Sequence, residues 1–179
     1  RTALEQWLNL LCSEVHSAVF VPMFHPASPP EAKAFAKVRL QSKFDLLEKH
    51  LAGRDWLLGF LRERQPSALG ASLATLPRVQ EAVGRIEGLL LANDRLLRGL
   101  ARDIDAGLEV AGSDSALIKS LVTNQAVQAV EIAQSLSSNH GLARRNPLER
   151  HWRDVLCGRI HTPQDDSVWV AAGRRALGV

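Results

Sequence analysis

The sequence has no tyrosine and only two cysteines, Cys12 and Cys157, set far apart. Two thiols at that spacing are not a disulfide framework, so both are expected to be reduced, small apolar residues of a cytoplasmic protein. Aromatic residues are few and scattered, and acids interrupt most of the basic runs. A nucleic-acid binder gathers its cations on one face and adds stacking aromatics, so a net charge of +3 in this arrangement argues against nucleic acid as a partner. No apolar run approaches the ~20 residues needed to cross a bilayer, and no charged-then-apolar leader opens the chain, so no membrane partner is expected. Alternating polar–apolar stretches of useful length are missing too, which argues against a half-buried sheet. Arg1 at the start reads as a processed end or a fragment.

What is present points to helices. Hydrophobic residues make up 46 % of 179 residues and charged ones 23 %, a balance that suits one ordinary globular domain or two small ones. One start signal recurs three times, at Ser28-Pro29-Pro30-Glu31, Asn146-Pro147-Leu148-Glu149 and Thr162-Pro163-Gln164-Asp165. The cap oxygen accepts an orphan N–H, proline lacks the N–H that would be orphaned, and the third residue favours the positive end of the helix dipole. Apolar residues at Leu4, Trp7, Leu8, Leu11, Val15 and Val19 step by three and four, predicting a helix over residues 2–21. A second helix is expected over 29–51, with Phe35, Val38, Phe44 and Leu47 inward and Gly53 as its stop. A third runs over 77–106, and its Gly84, Gly88 and Gly99 suggest close helix–helix approach. Residues 114–137 include the uncharged stretch SLVTNQAVQAV, the mark of a helix at the centre of a bundle. Helices over 147–158 and 163–177 complete an all-α, up-down bundle of about six. Residues 60–76, with Pro66 and a drift through small residues, read as a seam between a unit at 1–59 and a unit at 77–179.

The stretch NPLERHWRDVLCGRIHTPQDD, residues 146–166, allows three readings. As a metal site it offers Cys157 and His161 four apart, with His140 and His151 upstream, but zinc sites pair their ligands at short spacings, and only one loose pair stands here, so no metal is expected. As a nucleophile Cys157 would need a base and an exposed electropositive pocket, whereas it is expected to pack inward beside Leu156. As a phosphate grip, Arg144, Arg145, Arg150 and Arg153 are candidates, although ion pairs Glu149–Arg153, Glu149–Arg145 and Arg150–Asp154 at four-residue spacing account for much of the same pattern. Trp152 and Trp169 are expected to anchor the core.

Two resemblances add to this. The segments EQWLNLLCSEVHSAVFVPMF and KFDLLEKHLAGRDWLLG, within residues 1–59, resemble the start of the C-terminal helical domain of beta-class glutathione transferases, through Trp7–Asn9, Glu14 with His16, and the Gly53–Gly59 loop. That resemblance makes His16 a transferase-like candidate near glutathione, although the thioredoxin-like half that holds most of the glutathione would precede residue 1. The segments LPRVQEAVGRIEGLL and AVQAVEIAQSLSSNHGLARRNPLERHWRDVLCGRIHTPQDD, within residues 68–179, resemble the C-terminal helical bundle of acyl-CoA dehydrogenases and of the dehydrogenase-like flavin monooxygenases. There the turn after the central helix approaches the flavin of a neighbouring subunit, which makes Gln134, Asn139, His140 and Gly141, with Arg145 and Arg153, the cofactor-binding candidates. Thr162 stands where the family's dehydrogenases carry a glutamate base, and a hydroxyl cannot abstract an α-proton as a carboxylate does.

The second resemblance implies a flavin-linked oxidoreductase component, with FAD or FMN as cofactor. It is expected not to be catalytic alone, to form a homo-oligomer and to need flavin-binding domains supplied in trans. The alternatives are a non-catalytic helical scaffold, recombined or engineered as a chimera, and a glutathione-transferase remnant.

Overall fold

The computed structural model describes residues 22, 25–51 and 56–179, with the side chains of 43–51 left aside. The expected helix over 2–21 with His16 and Cys12, the Gly53 stop, and the inward packing of Phe44 and Leu47 lie outside the described residues. The chain divides into two compact units, Arg1–Asp55 and Trp56–Val179.

In the first unit, helix α1 runs over Pro30–Leu51 with Glu31 in its first turn. Among its described side chains the buried one is Ala36, whereas Phe35 is 65 % exposed and Val38 71 % exposed, so the expected inward pair faces out. The sequence offers two stripes one residue apart, and the small one, Ala32, Ala36 and Leu40, is the more covered. Phe35 instead lies beneath the Arg39 guanidinium, 6.0 Å from the ring centre.

The second unit holds six α-helices and no strand among the described residues: α2 (Trp56–Glu63), α3 (Pro77–Asp105), α4 (Gly112–Ser137), α5 (Asn139–Leu142), α6 (Pro147–Ile160) and α7 (Asp165–Leu177), with a 3-10 turn at Leu73–Thr75. The all-α expectation therefore holds, and α4 is the central helix, with α3, α6, α7, α2 and α5 all packed on it. The cause is its composition: with few charges to keep wet, α4 buries Ser120, Val127, Ala129, Ala133 and Ser137 on more than one face. Residues 56–63, read from sequence as part transferase-like loop and part seam, form α2 and pack against the 3-10 turn and α4. Pairing of α3 with α4 follows from a tight reversal at Gly107, φ +72°. There Leu108 N–H donates to Asp103 O and Gly107 N–H to Ile104 O, the two bonds of a Schellman stop.

The glycines sort differently from expectation. A side chain at Gly84, Gly88 or Gly99 would meet nothing within 4 Å, so these three do not mark a close approach. The tight places are Gly141, against Ser137 and Gln134, and Gly158, where a Cβ would lie 2.5 Å from Thr123 Cγ2. Gly158 is therefore what lets α6 settle onto α4.

Two capping expectations split. Asn146 caps α6, its Oδ1 accepting from Leu148 N–H at 2.9 Å, with Pro147 at the helix start and Glu149 in the first turn. Thr162 does not cap α7, which starts at Asp165 behind Gln164 with no side-chain cap bond. Tertiary contacts overrule the local pattern here, because the Asp165 carboxylate is seized by α4 and the helix starts where that carboxylate is fixed. Cys157 and Trp169 are exposed rather than inward, since the covered face of α6 runs through Leu148 and Gly158 and that of α7 through Val168. No helix among the described residues is long and apolar enough to cross a membrane.

Candidate functional site

The turn that follows α4 is built by four residues bonding to their near neighbours. Ser137, fully buried, donates from Oγ to Gln134 O at 3.0 Å. Ser138 then takes φ +51° and ψ −141°, a left-handed conformation that an L side chain resists, and its N–H also reaches Gln134 O. That kink lets α5 fold back on the end of α4. Gly141 makes the closure possible, because any Cβ there would run into Ser137 and the Gln134 amide. From the far side Asn146 holds the turn, its Nδ2 donating to His140 O at 3.0 Å while its Oδ1 caps α6. One buried side chain thus fixes both the turn and the helix beyond it.

The candidate residues end up in distinct places. Gln134 sits under the turn, its Oε1 buried without a hydrogen-bond partner. Asn139 and His140 are exposed on top. Gly141 is buried and its N–H donates to Ser138 O, so that amide is already taken and the residue serves to pack the turn. Arg144 and Arg145 follow directly, both exposed, and neither enters an ion pair or side-chain hydrogen bond among the described residues. Arg153, farther along α6, lies 3.5 Å from Glu149 as the four-residue spacing predicts, and of the three such pairs this is the one that closes. Thr162 is on the exposed loop between α6 and α7. Among the described residues no group of three or more His, Cys, Asp or Glu is arranged to hold a metal.

Sequence reasoning missed two features. Phe60 of α2 lies under the turn, its ring 5.2 Å from that of His140 and stacked at 5.0 Å on Trp56. Assigning residues 60–76 to a seam hid this contact. The second is a polar cluster between α4, α6 and α7. Ser120 Oγ donates to Asp165 Oδ1 at 2.9 Å and Asn124 Nδ2 to Asp165 Oδ2 at 2.6 Å. Lys119 Nζ lies 3.7 Å from the same carboxylate, and Arg159 Nε donates to Asn124 Oδ1 at 3.0 Å. Burial pulls the Asp165 carboxyl upward, but the hydrogen bonds from Asn124 and Ser120 together with the Lys119 charge outweigh it and hold the group below the usual carboxylate range. The visible signal was Lys119, a lone cation entering an otherwise uncharged stretch.

Among the described residues, clefts open on the second unit. One of about 470 Å³ lies between α3 and α4, lined by Leu89, Ala92, Gln128 and Ile132, and one of about 370 Å³ lies between α2 and the start of α3. Neither includes a residue of the turn, so Asn139, His140, Arg144 and Arg145 line no part of either cleft.

A family model described as the acyl-CoA dehydrogenase C-terminal domain matches residues 54–165. The chain belongs to that family. Its match begins ahead of residue 68 and takes in α2. Over 119 residues the chain is 34 % identical to YdbM of Bacillus subtilis (strain 168), whose name assigns it to the acyl-CoA dehydrogenases; the alignment covers 65 % of this chain and 31 % of that protein. Over 54 residues it is 32 % identical to the glutathione S-transferase GstA of Escherichia coli O157:H7, covering 30 % of this chain and 26 % of the transferase. The chain thus spans under a third of either curated relative. In fold it is similar to the protein solved as the FAD complex of PigA, with a TM-score of 0.60 at 21 % identity, covering 82 % of this chain and 35 % of that one.

Proposed function

We propose that this chain is the C-terminal bundle of a flavin-dependent oxidoreductase and that its turn after the central helix binds an FAD shared with a second copy of the subunit, other domains completing the site. The observation that carries the reading is the pair of uncommitted cations, Arg144 and Arg145, beside a turn whose own backbone is already satisfied. These residues fit a phosphate-bearing cofactor lying across the outside of the turn. They do not fit a phosphate cradled by the Gly141 amide, which is spent on Ser138.

In this reading Arg144 and Arg145 bind the diphosphate by charge-assisted hydrogen bonds. The exposed amide of Asn139 and the ring of His140, backed by Phe60, orient the remainder of the cofactor. Arg153 contributes less, because its guanidinium already faces Glu149. FAD bound there would supply the redox step. Neither Thr162, which has no carboxylate, nor Asp165, whose two oxygens are both occupied, supplies a base for α-proton abstraction. The reading is therefore of a flavin oxidoreductase that does not draw its base from this loop.

Gel filtration with light scattering after incubation with excess FAD tests it. FAD co-eluting with a dimer or larger species, lost in Arg145→Ala and largely kept in Arg153→Ala, supports the assignment. A flavin-free monomer supports a second reading, favoured by the division at Asp55/Trp56 and by the separate likeness to a glutathione transferase: a two-part helical scaffold without catalytic function.

A further inference from the structure

The polar cluster on α4 does more than join helices. Lys119 Nζ donates to His161 O at 2.9 Å and to Pro163 O at 2.9 Å, the carbonyls on either side of residue 162. The same ammonium faces the Asp165 carboxylate, which Ser120 and Asn124 hold from α4 and which opens α7. Arg159, in the last turn of α6, ties into Asn124. A loop of four residues is thus lashed to the central helix on both sides of Thr162, while Thr162 itself is exposed. An ammonium that bridges two carbonyls gives up water for them, and the half-buried Asp165 carboxylate beside it offsets that loss.

We propose that Lys119, buttressed by Asp165, is a positioning residue that fixes the backbone on both sides of Thr162 and so sets where the side chain at 162 is presented. The clamp touches main chain at 161 and 163 and never the side chain at 162. The mount is therefore indifferent to what residue 162 is, and position 162 can change its chemistry without changing its place. The clamp does not rest on the flavin reading above, which gives Thr162 no chemical role, so flavin binding can fail while the clamp stands, and the reverse.

Hydrogen exchange on the whole chain, resolved for residues 159–167, is the test. Lys119→Met is expected to speed exchange in this segment by roughly tenfold or more while the central amides of α4 keep their protection. Lys119→Arg, which keeps charge and donors, restores it, and Thr162→Ala and Thr162→Glu leave it within about twofold of the parent. Because Lys119→Met could unfold the chain, a second measurement needs no such variant: the Lys119 ammonium should give a slowly exchanging proton–nitrogen NMR signal that disappears in Asp165→Asn. A segment as protected in Lys119→Met as in the parent, a Thr162 variant that loosens it as much as the lysine change does, or a Lys119 ammonium in fast exchange would each overturn the proposal.

Discussion

Two glycine-to-alanine substitutions with the same local chemistry should have different effects on stability, a gain at one and none or a loss at the other. Gly88 lies on the exposed side of α3, where an added Cβ meets nothing within 4 Å. Gly158 lies on α6, where the same atom would come 2.5 Å from Thr123 Cγ2 and 3.5 Å from Thr123 Cβ. In either helix alanine gains about 1 kcal/mol over glycine from backbone entropy. At Gly88 nothing opposes that gain, so Gly88→Ala should stabilise by about 1 kcal/mol, a rise of roughly 2–4 °C in Tm for a chain of this size. At Gly158 the added methyl must push α6 off α4 or force the β-branched Thr123 out of its rotamer, at a cost of about 1–3 kcal/mol. The net is no gain or a loss of up to about 2 kcal/mol. Thr123→Ala removes the obstructing methyl, so in that background Gly158→Ala should recover the gain, a coupling of about 1–3 kcal/mol. Urea titration followed by tryptophan fluorescence reports mainly on the second unit, which holds three of the four tryptophans, Trp56, Trp152 and Trp169. A Gly158→Ala chain that is stabilised as much as Gly88→Ala, with Thr123 intact, would refute the close packing of α6 on α4.

Three further outcomes follow from the same packing. Ser138→Gly should raise stability by up to about 1 kcal/mol in the same titration, because glycine adopts φ +51° without the strain serine carries. Asn146→Ala should cost about 1–2 kcal/mol and should raise hydrogen exchange at both residues 139–142 and the start of α6, since one side chain serves both; an effect on the helix alone would contradict the link. Asp165 has a pKa lowered in the folded chain, so its stabilising effect is present above the ordinary value of about 3.9 and is lost as pH falls through the lower folded value. Lys119 on α4 and Arg159 on α6 are the charges near its cluster. The stability difference between the parent chain and Asp165→Asn, measured by urea titration from pH 7 down to strong acid, should therefore shrink only in acid; a constant difference would mean that the carboxylate charge is not what the cluster holds.

The helices of the described residues were legible because their signals are local. Pro147 behind the Asn146 cap and the uncharged run in α4 each depend on a few neighbouring residues, and each appears where expected. What failed depended on residues far apart in the chain. Thr162 has the right neighbours for a cap, yet the start of α7 is decided by Ser120 and Asn124, more than forty positions earlier. The glycines of α3 carry the same composition signal as Gly158, and only the position of Thr123 distinguishes them. The Phe60–His140 contact joins a residue assigned to a seam with one assigned to a turn, and no pattern within either segment announces it. Exposure of Phe35 and Trp169 has the same origin, since an amphipathic pattern gives a period and leaves open which of two neighbouring stripes is covered. The turn was expected from resemblance, but the commitment of its Gly141 amide to Ser138 is a matter of geometry.

The central claim is that the turn after α4 faces FAD, and an exchange footprint of that cofactor tests it most directly. Hydrogen exchange of the chain would be compared with and without saturating FAD. Slowed exchange confined to residues 138–146, abolished by Arg145→Ala while Thr162→Ala leaves it unchanged, is the predicted result. Exchange in 138–146 that is indifferent to FAD, or protection that appears only along the α3–α4 cleft, would contradict it.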